Sequence, residues 1–197
     1  MKIRMKRKLA VVLLICISCH MGWAAQDFVW KSGQNMKVVC DTTEAPVVKV
    51  ALDLLKRDCR SVLSGNISRS ENTGSIYVGT WGESSVLQAL AETHQLDVAQ
   101  LNEHKEAFLL NVLPDGRLVV AGSDKRGTAY GVLELSRMMG VSPWEWWADA
   151  IPEKKEELRL PAGFRKLDYP QVAYRGIFIN DEDWGLTPWS WKHYEPS

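Results

Sequence analysis

Between residues 36 and 139 the hydrophobic period switches repeatedly between two residues and 3.6, and no other feature limits the fold as much. "MKVVCD" (36–41) reads as a short strand. In "APVVKVALDLLKRDCRSVLSG" (45–65), Val48, Ala51, Leu52, Leu55, Cys59 and Val62 share one helical face, with Lys49, Asp53, Lys56 and Arg60 pointing elsewhere. Pro46 suits the first turn of that helix and Gly65 its end. "SIYVGT" (75–80) is a second strand, and "SSVLQALAETH" (84–94) a second helix, with Ser85 and Gln88 in capping-box spacing. "EAFLLNVLPDGRLVVAGS" (106–123) is a hairpin turning at "PDG", where proline presets φ and glycine accepts a positive one. A third helix, "DKRGTAYGVLELSRMM" (124–139), ends at Gly140. The order β-α-β-α-β-β-α predicts an α/β (α+β) layer domain, a small mixed sheet with helices packed on it. A charged stretch, "PEKKEELRL", leads out, and "EELRLP" within it reads as one more edge strand.

The ends of the chain differ from this middle. Residues 1–24 hold five basic residues and no acids, and Leu9–Ile17 is an apolar run too short to span a bilayer. With small residues at Gly22 and Ala24, this is the layout of a signal peptide and predicts export. A lipid-anchored variant would use Cys19, but Cys16 stands where a leucine is usual. Removing five of the 24 basic residues leaves 19 against 24 acidic, a charge of −5. No basic patch remains to suggest a nucleic-acid or anionic-membrane partner. Cys40 and Cys59 are then the cysteines left. Export permits a disulfide, but two buried thiols are the simpler expectation. No CxxC or His-rich spacing marks a metal, and no cofactor is expected. His94 and His104 read as surface or cap residues, and "NIS" at Asn66 is a weak glycosylation acceptor.

Three stretches could carry chemistry. In "VAYRGIFIN" (172–180) a continuous apolar run predicts a strand buried on both faces, as in a parallel sheet. It runs into "NDEDW" (180–184), and in a parallel barrel such strand ends build active sites. Extended geometry sends Asp181 and Asp183 to one side and Glu182 to the other. Carboxylates there can act as general acid or base, or hold sugar hydroxyls; the plainer alternative is a solvated, capped loop. Trp184, Trp189 and Trp191 follow, and "SPWEWWAD" (142–149) adds three more tryptophans. Indoles stack on sugar rings and equally fill interfaces. In "GSDKRGTAYG" (122–131) the nucleotide-cradle spacings are missing. Lys125 and Arg126 sit in the first helical turn, where the dipole disfavours cations and an anion is welcome. Gly127 and Gly131 share a face and admit another backbone closely. The alternative is close packing beside a solvated arginine.

Taken together, "GSDKRGTAYGVLELSRMMGVSPWEWWAD" followed by "YRGIFINDEDWGLTPWS" resembles the amino-terminal portion of glycoside hydrolase family 115. The resemblance covers residues 30–197. It implies an exported α-glucuronidase that removes glucuronic acid, or its 4-O-methyl form, from xylan with inversion, which needs an acid and a base spaced to admit water. It also implies a hexosaminidase-like accessory domain over 25–165, after the leader at 1–24. The first strand of a truncated (β/α)8 barrel would lie within 166–197. Glu182, Asp181 and Asp183 become the catalytic candidates, and Asn180, Trp184 and Arg126 the substrate-binding ones, with Arg126 facing the uronate carboxylate. A homodimer is one assembly the complete enzyme could form. Most barrel strands are missing from these 197 residues, so the chain by itself is expected to be inactive.

Two readings compete. A carbohydrate-binding module would suit the tryptophans, but such modules are usually all-β, against the helical faces at 48–62 and 128–139. An exported interaction domain would use the aromatics to close a protein interface.

Overall fold

The computed structural model describes residues 24–70, 73–93 and 96–178. In chain order the elements are β1 (Phe28–Lys31), β2 (Asn35–Cys40), α1 (Pro46–Leu63), β3 (Asn66–Ser70), β4 (Ile76–Thr80) and α2 (Ser85–Glu92). A 3-10 turn (Ala99–Glu103) follows, then β5 (Phe108–Val112), β6 (Leu118–Gly122), α3 (Lys125–Met139), a short α4 (Trp144–Ala148), β7 (Glu157–Leu160) and β8 (Arg165–Asp168). Every strand and helix expected between 36 and 139 is present, and the mixed sheet is as predicted.

The main sheet has the strand order β3-β2-β4-β6-β5-β8. β3, β2, β4 and β6 run parallel, while β5 is antiparallel to both β6 and β8. The alternation of the strands sends side chains to two cores. Val38, Ile76, Val78, Phe108, Leu110 and Val120 meet α1 and α3 on one face. Val39, Tyr77, Leu109, Val119 and Ala121 meet Leu87 and Leu90 of α2 and Leu101 of the 3-10 turn on the other. Both faces of the sheet are covered, so the central strands read as continuous apolar runs.

"EELRLP" does form a strand, but away from the main sheet. β7 pairs antiparallel with β1 in a separate ribbon, from Phe28 opposite Leu160 to Lys31 opposite Glu157. The ribbon buries Phe28, Trp30, Leu158 and Leu160 against the α1–α3 core. β8 adds to the free edge of β5, so the sheet runs through Asp168.

The capping box expected from Ser85 and Gln88 is not formed, and the N-cap lies one residue earlier. Ser84 is the N-cap, its hydroxyl accepting from the Leu87 N–H, while Ser85 is drawn off by Asp41. A carboxylate reached from another strand end outcompetes the local cap. α3 lies unusually close to the hairpin, as its glycine pair predicts: a Cβ on Gly127 would fall 2.1 Å from the Ala107 carbonyl oxygen, and one on Gly131 2.8 Å from Val120.

The strand expected over 172–180 is not formed in its described part, 172–178. Tyr174, Ile177 and Phe178 stand exposed. A strand exists through its hydrogen-bonded neighbour, and among the described residues none pairs with this segment.

Candidate functional site

In an open α/β sheet ligands bind beyond the carboxyl ends of the strands, where the strand order reverses. Here the reversal lies at β2, between β3 and β4. That position is filled by the domain's own side chains. Glu44, 4% exposed, accepts from the Thr80 N–H at 2.9 Å, the Thr80 hydroxyl at 2.8 Å and the Ala45 N–H at 3.1 Å. The Thr80 and Thr128 hydroxyls lie 2.9 Å apart. Asp41 accepts from both the N–H and the hydroxyl of Ser85. The crevice is a polar seal joining β2, β4, α2 and α3.

A second polar centre forms at the start of α3. Asp124 is its N-cap, with Oδ1 accepting from the Arg126 and Gly127 N–H groups, both at 2.9 Å. Its Oδ2 accepts from the Glu106 N–H at 2.8 Å. Glu106 then turns its carboxylate to the guanidinium of Arg126 at 2.7 Å and to that of Arg175. Arg175 also donates to the Val172 carbonyl at 2.7 Å and the Tyr130 hydroxyl at 3.3 Å. The hydrogen bond from Arg175, and then the Arg126 contacts, hold the Glu106 carboxyl below its ordinary value against the opposing effect of burial. The misfit of Arg126 with the helix dipole is thus offset by Asp124 and Glu106. Its side chain remains 63% exposed.

Two concavities flank this centre. A hollow of about 340 Å³ is lined by His104, Lys105, Glu106, Tyr169, Gln171 and Arg175 among others. In it His104 stacks on Tyr169, 3.5 Å between ring centroids and 8° from parallel. His104 is the C-cap of the 3-10 turn, as a cap reading expects, and its ring forms a stacked wall of the hollow. A groove of about 530 Å³ runs along α1, α3 and α4 past Leu54, Leu133 and Tyr130. Arg57 bridges Asp58 and Glu145 in its wall. Burial works to raise the Glu134 carboxyl there, but Arg137 and Lys166, both at 2.7 Å, outweigh it and lower it. Trp144 is 63% exposed in α4. Cys40 and Cys59 are free thiols, and burial pushes each up to about 11.

Of the site residues singled out in the sequence, Arg126 is described. Asn180, Asp181, Glu182, Asp183 and Trp184 lie outside the described residues. Glu106 and Arg175 escaped the sequence reading. The one signal was Arg175 itself, a lone cation inside an apolar run.

Comparisons with known proteins place these observations. The family model for glycosyl hydrolase family 115 matches residues 167–197, the stretch that includes Arg175 and the acid cluster. A solved family GH115 4-O-methyl-alpha-glucuronidase with specificity for decorated arabinogalactans is 58% identical with a TM-score of 0.78; the match covers 86% of this chain and 22% of that chain. The structure of CpGH84D has a TM-score of 0.51 at 14% identity, covering 74% of this chain and 22% of that one, and shows likeness of fold alone. No curated protein matches the sequence. This chain spans about a fifth of the length of each of these two solved chains. The mixed α/β sheet, the family match over residues 167–197 and the 58% identity agree, and the chain belongs to glycosyl hydrolase family 115.

Proposed function

We propose that this chain supplies the accessory domain and the first acid cluster of an exported α-glucuronidase that releases (4-O-methyl-)glucuronic acid from a plant polysaccharide. The observation that carries the reading is the 58% identity to a 4-O-methyl-alpha-glucuronidase over 86% of the chain. Two main chains come into question for the substrate. The sequence resemblance points to xylan, whereas the solved relative is specific for decorated arabinogalactans. At 58% identity we favour a decorated arabinogalactan, with the same uronate side chain cleaved in either case.

Glu182 is the first choice for acid or base, with Asp181 and Asp183 beside it at the sugar subsite. Asn180 would bind a hydroxyl and Trp184 would stack on a ring. Arg126 has a different place. It is engaged with Glu106, which also holds Arg175. We assign Arg126 to holding the segment around Arg175 rather than to the uronate carboxylate. The isolated 197 residues should not turn over substrate.

The test is a polypeptide in which residues 24–197 continue into a complete family 115 barrel, assayed for uronic acid release from decorated arabinogalactan and from glucuronoxylan. Release from arabinogalactan, abolished by Glu182→Gln and little changed by Arg126→Lys, is the expected result. Release that survives Glu182→Gln overturns the acid assignment. Preference for glucuronoxylan overturns the choice of main chain. Binding to either polysaccharide by the isolated chain would favour the binding-module reading instead.

A further inference from the structure

Glu106 stands where three pieces of chain meet. Its backbone occupies the left-handed region, at φ +57, and its N–H is held by the Asp124 carboxylate. Its own carboxylate faces Arg126 on α3 and Arg175 on the segment that leaves the sheet. The Glu106 side chain is 16% exposed, against 63% for Arg126 and 35% for Arg175. The least exposed group of the three is thus the shared anion.

Beyond Tyr169, which stacks on His104, the segment it touches has little else to guide it. β8 ends at Asp168, and residues 169–178 have no sheet pairing. Tyr174 and Phe178 are almost fully exposed. Arg175 is the exception: its guanidinium reaches Glu106, the Tyr130 hydroxyl and the Val172 carbonyl, and lies 6.0 Å from the centre of the Tyr130 ring. A planar fork can serve several acceptors in fixed directions, which an ammonium cannot do.

We propose that Glu106 is a positioning residue that fastens Arg175 to the N-terminus of α3 and so fixes where the chain leaves the accessory domain on its way to the acid cluster. Asp124 holds the Glu106 backbone, Arg126 holds one carboxylate oxygen, and the second oxygen is left for Arg175. The start of the 172–178 segment is then set by side chains before any barrel neighbour pairs with it. This inference deepens the glucuronidase reading, but its test needs no sugar, so either can fail alone.

Trypsin must draw the Arg175 side chain into its own specificity pocket to cut the Arg175–Gly176 bond, so cleavage there requires release from Glu106. The purified chain should be digested under native conditions and the peptide beginning at Gly176, ending at Lys192 or Ser197, followed by mass spectrometry. Glu106→Gln keeps the shape and removes the charge. It should release that peptide roughly threefold faster or more, the change expected from one partly exposed ion pair. Cleavage at other sites and the melting temperature should stay unchanged. Arg175→Lys, in a segment outside the sheet, remains cleavable and should be cut faster for the same reason. Glu106→Asp should restore part of the protection. Equal rates in wild type, Glu106→Gln and Arg175→Lys would overturn the proposal. Faster cutting throughout the chain with a lowered melting temperature would also overturn it, because Glu106 would then support the fold generally.

Discussion

Glu44 takes both the backbone N–H and the hydroxyl of Thr80, from a carboxylate that is 4% exposed. The pair closes the carboxyl end of the sheet where a ligand would sit in a doubly wound fold. Glu44→Ala leaves the Thr80 N–H, the Thr80 hydroxyl and the Ala45 N–H without their acceptor. A loss of about 2–3 kcal/mol in unfolding free energy is expected for such buried donors. Urea denaturation of the variant checks it, and an unchanged midpoint would show that water replaces the carboxylate at no cost.

Gly127 is a packing requirement. Its missing Cβ leaves room for the Ala107 carbonyl, and Gly127→Ala would put an atom 2.1 Å from that oxygen. α3 must then move off β5, at a cost of about 1–3 kcal/mol for overpacking. Gly176→Ala, with nothing within 4 Å, is the control and should leave the melting temperature unchanged.

The Glu134 carboxyl is faced by Arg137 of its own helix and by Lys166 of β8, with Asp168 3.8 Å beyond on Lys166. Burial opposes ionisation, but the two cations win and the folded value lies below the ordinary 4.5. A carboxyl lowered by folding contributes stability that is complete above its unfolded value. That contribution is lost as pH falls through the folded one. Stability should therefore decline below about pH 5, and Glu134→Gln should flatten part of that decline while lowering stability at neutral pH. An unchanged acid profile in the variant would show that the ion pairs add nothing.

Cys40 and Cys59 are desolvated and their thiols are pushed up to about 11. Thiolate is the reactive form. Both should resist a thiol reagent at pH 8 in the folded chain and react at once in denaturant. Fast reaction of either in the native state would contradict the burial account.

The central strands were legible because both sheet faces are covered: "VVC", "IYV", "FLLNV" and "LVVAG" carry their apolar content openly. β3 and β8 were not. "NISRS" and "RKLD" lie at the two sheet edges, where few side chains are buried, so neither carries an apolar period. The β1–β7 ribbon joins residues from opposite ends of the domain, and no local period announces that. The candidate site divides in the same way. Three consecutive acids and a nearby tryptophan are visible as composition. The Glu106–Arg175 contact joins residues 69 apart and the Glu106–Arg126 contact residues 20 apart, so no local pattern announces either.

The hydrolase reading stands or falls on whether residues 172–184 bring a working carboxylate to a uronate sugar. The most direct measurement is the rate of 4-O-methyl-glucuronic acid release from decorated arabinogalactan by a polypeptide continuing residues 24–197 into a complete barrel, with and without Glu182→Gln. General acid–base catalysis predicts a fall in kcat of about 100-fold or more. A kcat within twofold of the unmodified protein would contradict the account.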